Sequence, residues 1–418
     1  MDKRRRFHMR LDAESTIQEV RIIEIADHNL QNEHRYVEIV CYGGLTGHAG
    51  PLDGQYQFLA VKNRLHVFNK FLAKRDIFDP EIEFASLWEA VYPEHPLSSY
   101  EHGKDPINGD NIWRSHRTSR HSATGEIITA FSAIDIAIWD LRGKASAKPV
   151  HQLLHGERTE LEAYVSCMGS KTPQEAVEKA TNWYDKGFKR HKCFLPHRPV
   201  EAAGVKNNLH IMEALHQTLP QDAQVMYDLS RLSDQLDDPS TRSQRLTWVN
   251  EMVKEMQNYR PVWIEEPVSP DDIEGYMTIK QANPSAVLAG GEHLYTRWSL
   301  KPYLDKGLLD YVQCDPEWCG GISEAIAICK MVEASYPNVR VVPHGHMILA
   351  ASQIIAAQSE ALSPFTEYLY QVIPDRNRYF TYAPEPVNGI LTVPQDPGVG
   401  PALDDSKYQI IRIYKDEE

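Results

Sequence analysis

From about residue 160 onward the chain repeats one rhythm: a short apolar run, a few polar residues, then a stretch with apolar positions at helical spacing. The runs are "LEAYVSC", "FKRHKCFL", "AQVMYDLS", "PVWIEEP", "AVLAGGE", "YVQCDPE", "VRVVPHG" and "FTEYLY". Such alternation predicts parallel strands joined by helical crossovers. Eight units in roughly 230 residues predict a (β/α)8 barrel, which typically takes about 250. The helix in "TPQEAVEKATNWYDKG" shows the local signals well, opening on an N-cap Thr172 and closing on Gly187.

Ahead of that region the pattern differs. "TIQEVRIIEIAD" and "RYVEIVCY" read as two strands, and turn-rich "GGLTGHAGPLDGQ" follows. Helical spacing then runs from about 60 to 145, through "QFLAVKNRLHVFNKFLAK" and "GEIITAFSAIDIAIWDLRGKA". Strands first and helices after suggest an α+β domain. Beyond about 380, "APEPVNGILTVPQDPGVGPALD" is irregular and reads as a tail returning to the first domain. The expected organisation is an α+β domain at 1–145, a barrel at 146–385 and a tail at 386–418.

Composition narrows the function. The 418 residues are 42% hydrophobic and 24% charged, an ordinary globular balance, with a net charge of −14. That charge argues against a nucleic-acid surface, whose footprint is net basic. The opening "KRRRFHMR" reads as a loose terminus and lacks the apolar core of a secretory signal. No stretch approaches the roughly 18 uncharged apolar residues that span a bilayer. The most apolar one, "IITAFSAIDIAIWDL", is interrupted by Asp135 and Asp140 and reads as a buried helix. Six cysteines show no CxxC pairing, so neither a zinc knuckle nor a disulfide scaffold is indicated. A cytoplasmic protein without nucleic-acid or membrane partners is expected.

In barrel enzymes, chemistry sits where the strands end. The second run ends near Lys192, the third at Asp228, the fourth at Glu265 and the fifth at Glu292; the last three end at Asp315, His344 and Glu367. An ionisable group closes seven runs in succession. Asp228, Glu265 and Glu292 come from consecutive strands. Two like charges 4 Å apart repel by about 4 kcal/mol at an effective dielectric near 20. Three converging carboxylates therefore need a proton or a cation, unless each strand end is simply solvated. A hard ion with oxygen ligands, Mg²⁺, is the natural answer. Glu265 then points at the ion, and Glu266 is left for substrate or for support of the ligands.

Asp315 and His344 end neighbouring strands. A carboxylate that fixes an imidazole's tautomer makes a general base working near neutral pH. "HGH" at 344–346 also puts two histidines at i and i+2, a spacing that could bind zinc. Lys192 is read either as a surface lysine or as a group that binds a substrate carboxylate. His197 and Arg198 in "LPHRP" could touch an anionic substrate or cap the next helix.

Taken in order, "AFSAIDIAIWDLRGK", "MYD", "WIEEP", "GGEH", "CDPEWCGGISEA", "VVPHG" and "DPGVG" resemble the mandelate racemase branch of the enolase superfamily. "QCDPEWCGGISE", "VVPHGH", "SPFTEYL" and "PEPVNG" bring the chain nearest to acid-sugar dehydratases of the L-rhamnonate dehydratase type. The resemblance implies a modified (β/α)8 TIM-type barrel with an α+β capping domain built from the N-terminal region and the C-terminal tail. It implies Asp228, Glu265 and Glu292 as Mg²⁺ ligands, an Asp315–His344 dyad, and Glu367 as a hydrogen-bond donor to the substrate carboxylate. Substrate contacts are expected from Lys192, His197 and Glu367. Residues 43–58 correspond to a mobile loop that selects substrate, and basic 113–125 would face an acidic sugar or another subunit. Racemases of the branch carry two lysines two residues apart, whereas this chain has Lys192 and then Phe194.

The implied reaction is dehydration of an aldonate or aldarate to a 2-keto-3-deoxy acid through an enediolate, with His344 as base. Epimerisation or cycloisomerisation through the same enediolate is an alternative. A catalytically silent relative that binds acid sugars is another. A homo-oligomer acting on a small-molecule acid sugar is expected.

Overall fold

The computed structural model describes residues 15–82, 125–197, 202–229 and 239–416. Segment 113–124 of the basic stretch and Arg198 lie outside the described residues. The chain forms two compact units. One comprises Met1–Leu153, Gly320–Ser323 and Gln395–Glu418, the other Leu154–Cys319 and Glu324–Pro394.

The first unit is built on a four-stranded antiparallel sheet. β1 (Ile17–Ala26) pairs with β2 (His34–Cys41), as the two apolar runs predict. β3 (Thr46–Ala49) pairs with β2 inside the stretch that reads as a turn. The glycine responsible, Gly47, is not turning the chain. A Cβ there would collide with the Ala137 carbonyl and Leu141 of the helix Glu126–Ala145, so its bareness lets sheet and helix close up. That helix is buried along almost its whole length. The two carboxylates interrupting its apolar run are not solvated. Asp140 accepts from the backbone N–H of His48 at 2.9 Å and of Val399 at 3.0 Å, and Asp135 accepts from Ser323 N–H at 2.9 Å. Buried carboxylates thus accept from backbone N–H groups of β3 (His48), of the first turn of the helix Gly321–Ser335 (Ser323) and of the C-terminal tail (Val399). The sheet order is β13-β1-β2-β3, where β13 (Gln409–Tyr414) comes from the C-terminal tail and pairs antiparallel with β1.

In the second unit every one of the eight apolar runs becomes a strand. They are β4 (Glu160–Ser166), β5 (Arg190–Phe194), β6 (Gln224–Asp228), β7 (Ile264–Glu265), β8 (Leu288–Gly290), β9 (Tyr311–Val312), β10 (Arg340–Val341) and β11 (Phe365–Leu369). All neighbours pair parallel in the order β10-β9-β8-β7-β6-β5-β4-β11. The seam between the first and last of these is joined by the parallel bridge Val341↔Leu362, which closes the barrel. A helix follows each of the first seven strands. After β11 there is only the short helix Ile373–Arg376, and β12 (Ile390–Thr392) then runs antiparallel on the outer part of β4. The barrel is therefore modified at its last unit.

Thr172 caps the helix Pro173–Asp185 by accepting from Glu175 N–H at 3.2 Å, as its position predicts. Inside the barrel, Tyr164, Met226, Trp263, Ala289, Val342 and Phe365 make an apolar core. Trp263 meets Tyr164 edge-on at 5.6 Å and stacks on Phe365 at 6.1 Å. Side chains two apart on a strand share a face. Trp263 therefore underlies Glu265, and the charged strand ends stand on an aromatic floor. No described helix is long and apolar enough to cross a membrane.

Candidate active site

Strand register puts the ionisable ends at one level. Phe194 pairs with Asp228, Asp228 with Glu265, and Glu265 with Ala289. Lys192, two residues before the end of β5, reaches up into this layer. Its side chain is 1% exposed, which excludes the surface-lysine reading. Nζ lies 2.8 Å from Glu367 Oε1, 2.9 Å from Glu265 Oε1 and 3.4 Å from Asp228 Oδ2. Burial opposes its charge, but Glu265, Glu367 and Asp228 outweigh burial and hold its pKa well above the ordinary value.

The two adjacent glutamates part company. Glu265 points into the barrel, where its Oε2 accepts from Trp263 Nε1 at 3.0 Å and from Gln313 Nε2 at 2.8 Å. Burial and the charge of Asp228 push its pKa well up despite Lys192. Glu266 sits in the left-handed backbone region (φ +40°), uncommon for a non-glycine residue, and both its oxygens lie 3.1 Å from His293 Nδ1. Burial raises its pKa to about 7, with the His293 hydrogen bond opposing.

Glu292 follows Gly291, whose φ of +121° turns the chain sharply after β8. Its carboxylate lies 3.3 Å from His293 Nδ1 and 3.2 Å from His344 Nε2. His344 is held from the other side by Asp315, Nδ1 to Oδ2 at 2.6 Å. With Nδ1–H donating to Asp315, Nε2 is left facing Glu292 and, at 3.7 Å, Glu367. Burial disfavours charge on His344, yet Glu292, Glu367 and Asp315 push its pKa up to about 10. For His293 the same contest, against Glu266 and Glu292, ends at about 9.

The glycine of "HGH" has a packing reason. A Cβ on Gly345 would come within 2.6 Å of Glu367 Cβ, and Gly345 N–H donates to Glu367 Oε2 at 3.0 Å. Burial works against the charge of Glu367, but Lys192 and His344 hold its pKa down to about 2. In this state it is an acceptor, and a donor role requires a proton that it does not carry here. The two histidines of "HGH" do not converge as a chelate: their ring centroids are 6.1 Å apart and each Nδ1 is engaged by a different carboxylate.

Seven of the strand-end residues thus form one connected network: Lys192, Asp228, Glu265, Glu292, Asp315, His344 and Glu367. His197 stands apart from it, with Nε2 3.2 Å from the Lys171 carbonyl and its backbone N–H donating to Asn208. Gln313, Trp263 and His293 belong to the network without having been singled out by pattern. Only their i+2 or i+1 spacing from Asp315, Glu265 and Glu292 could have flagged them.

The donor set suits a divalent cation. Six carboxyl groups, Asp228, Glu265, Glu266, Glu292, Asp315 and Glu367, share Lys192, His293 and His344. Their excess negative charge draws protons onto Glu265, Glu266, His293 and His344. Oxygen donors of this kind favour Mg²⁺ over softer metals. Among the described residues, the ligand atoms lying within 4.8 Å of one another are those of Glu266, Glu292 and His293, while Asp228 and Glu265 share the Lys192 ammonium.

Residues 175–407 match the enolase C-terminal domain-like family, and residues 98–155 match the mandelate racemase / muconate lactonizing enzyme N-terminal domain. Over 325 residues the chain is 30% identical to the L-rhamnonate dehydratase of Saccharopolyspora erythraea, covering 75% of this chain and 77% of that protein. The 3,6-anhydro-D-galactonate cycloisomerase of Zobellia galactanivorans is similar in fold, with a TM-score of 0.70 at 24% identity over 93% of this chain and 97% of that one. An enolase superfamily member from Salmonella Typhimurium gives a TM-score of 0.74 at 19% identity over 96% of this chain and 100% of that one. The chain belongs to the enolase superfamily, in its mandelate racemase branch.

Proposed function

We propose that the protein dehydrates an acid sugar, an aldonate or aldarate, to a 2-keto-3-deoxy acid, with His344 as the base. The observation that carries this reading is the Asp315–His344 pair at 2.6 Å, its Nε2 turned toward an acidic network that also holds a buried lysine. The similarity to an L-rhamnonate dehydratase supports it.

Lys192 stays charged in its carboxylate cage, so it can transfer one of its contacts to an incoming substrate carboxylate. An anionic substrate beside Glu367 raises that residue's proton affinity, which converts it from acceptor to donor toward a carboxylate oxygen. Asp228, Glu265 and Glu292 would hold Mg²⁺, which when bound supplies positive charge opposite the carboxylate where negative charge accumulates. Glu292, in holding a cation, would have offset the negative charge that keeps His344 protonated here; with Asp315 fixing Nδ1–H, the Nε2 lone pair of the ring so neutralised takes the proton from C2. The C3–O bond then breaks, the hydroxyl leaves with that proton as water, and the enol becomes the ketone. One imidazole both accepts and returns the proton. Phe194, whose ring centre is 5.8 Å from Lys192 Nζ, stands where two-base racemases carry a second lysine, which favours a one-sided reaction.

The test is a panel of acid sugars with Mg²⁺, read as 2-keto acid by semicarbazone absorbance. Product from one member with wild type, formed at least about 10²-fold more slowly by His344→Asn, is expected. Solvent deuterium at C2 of recovered, inverted substrate without keto acid would replace dehydration by epimerisation. No product from any member would sink the reading.

A further inference from the structure

One imidazole of "HGH" has no part in the chemistry above. His346 repeats, two residues on, the arrangement of His344. Asp315 and Glu317 lie two residues apart after β9, and His344 and His346 lie two residues apart after β10. Each carboxylate holds the Nδ1 of its own imidazole, Asp315 at 2.6 Å and Glu317 at 3.0 Å. The two rings are nearly parallel, at 15°, and the Trp318 indole packs against both, at 5.4 and 5.5 Å.

Glu317 is itself buried and anchored. Arg376 Nη2 donates to its two oxygens at 2.7 and 2.8 Å. Burial favours the neutral acid, but Arg376 and His346 hold the pKa of Glu317 below the ordinary value, so it remains charged. A buried ion pair adds little net stability over apolar packing of the same volume. Its use here is orientation: an anchored carboxylate fixes the tautomer and direction of an imidazole, as carboxylates do behind working histidines. The ring so held is 18% exposed, and its Nε2 has no hydrogen-bond partner among the described residues.

We propose that His346 is a second substrate-contacting imidazole, whose Nε2 hydrogen-bonds a hydroxyl of the acid-sugar chain farther from the carboxylate than the carbon His344 deprotonates. Glu317 and Arg376 are its positioning residues. A hydroxyl is the fitting partner because it can donate to the neutral ring and accept from the protonated one. The parallel rings space two recognition points along one extended chain, so His346 reads the length and hydroxylation of the substrate while His344 does chemistry. This inference rests on the acid-sugar reading above.

The experiment compares wild type, His346→Leu, His346→Gln and Glu317→Gln on the acid sugar that wild type converts, and on analogues each lacking one distal hydroxyl. His346→Leu is expected to lose roughly 10- to 100-fold in kcat/KM, mainly through KM. Against one particular deoxy analogue that loss should shrink to within about 3-fold, because the partner is already gone. His346→Gln should recover part of the loss, and Glu317→Gln should lose less than His346→Leu in the same direction. Equal losses on the parent sugar and every analogue, or no loss at all, would overturn the proposal. So would lowered melting temperatures with unchanged kcat/KM, which is the signature of a purely structural ring. If wild type converts no acid sugar, the parent reading has failed and this one falls with it, a case told apart by the wild type's own inactivity.

Discussion

Lys192 Nζ stands 2.9 Å from Glu265 Oε1, with the two side chains 1% and 0% exposed. The same ammonium also serves Asp228 and Glu367, so one positive charge holds three carboxylates at the barrel mouth. Removing one partner of a buried ion pair costs about 3–5 kcal/mol, because the remaining charge is left uncompensated. Lys192→Met keeps the length of the side chain and deletes its charge. Urea unfolding in EDTA should show a loss of about 3 kcal/mol, and Mg²⁺ should restore part of it. Unchanged stability would mean that the three acids do not depend on Lys192.

Magnesium itself should raise the melting temperature of wild type, since an ion bound only to the folded state stabilises it by about 2.7 kcal/mol at a hundredfold excess over Kd. Asp228→Asn and Glu265→Gln should abolish that rise, while Glu266→Gln should largely keep it. The reverse pattern would put the ion on Glu266, Glu292 and His293, whose ligand atoms lie within 4.8 Å of one another.

His344→Asn should cut dehydration by roughly 10²- to 10⁴-fold while leaving Mg²⁺ affinity nearly unchanged. Asp315→Asn should lower kcat as well, because a neutral amide, which can donate as well as accept, no longer selects the Nδ1–H tautomer of His344. Calorimetric titration of Mg²⁺ beside the activity assay separates the two effects. Native turnover in His344→Asn would show that the base lies elsewhere.

His191 carries a pH signature independent of the site's chemistry. It is fully buried, and burial lowers its pKa from 6.5 to about 4. A histidine depressed in the folded state is protonated first in the unfolded chain, so its full contribution is present above the ordinary value. As pH falls from about 6.5 to 4, stability should drop by on the order of 3 kcal/mol from this group. His191→Leu should remove that increment from the difference between urea midpoints at neutral and acid pH. Any packing penalty of leucine does not vary with pH, so an identical pH dependence in the variant would refute the assignment.

Much of the barrel was legible because parallel strands buried on both faces read as short continuous apolar runs, and all eight runs between 161 and 370 became strands. The ends of those runs also exposed the network, since a parallel barrel delivers its strand termini to one face. What stayed hidden depended on partners far along the chain. Gly47 looks like turn chemistry until the helix Glu126–Ala145 is packed on it. The strand Gln409–Tyr414 follows a Pro- and Gly-rich stretch, and its pairing with β1 is a contact across nearly the whole sequence. His197 looks equivalent to its charged neighbours in sequence, but its ring turns to the Lys171 carbonyl. Arg376 enters from the short helix after β11, so the repeated Asp/Glu and His/His spacing after β9 and β10 showed only half of the second pair.

The pairing of β13 with β1 also has a consequence for biogenesis. During synthesis β1 emerges first and β13 only after every barrel strand has left the ribosome, so one side of β1 waits with bare amide and carbonyl groups through most of translation. Completion of that sheet is therefore a late event in folding, and the edge of β1 that β13 covers is one a chaperone could shield until then.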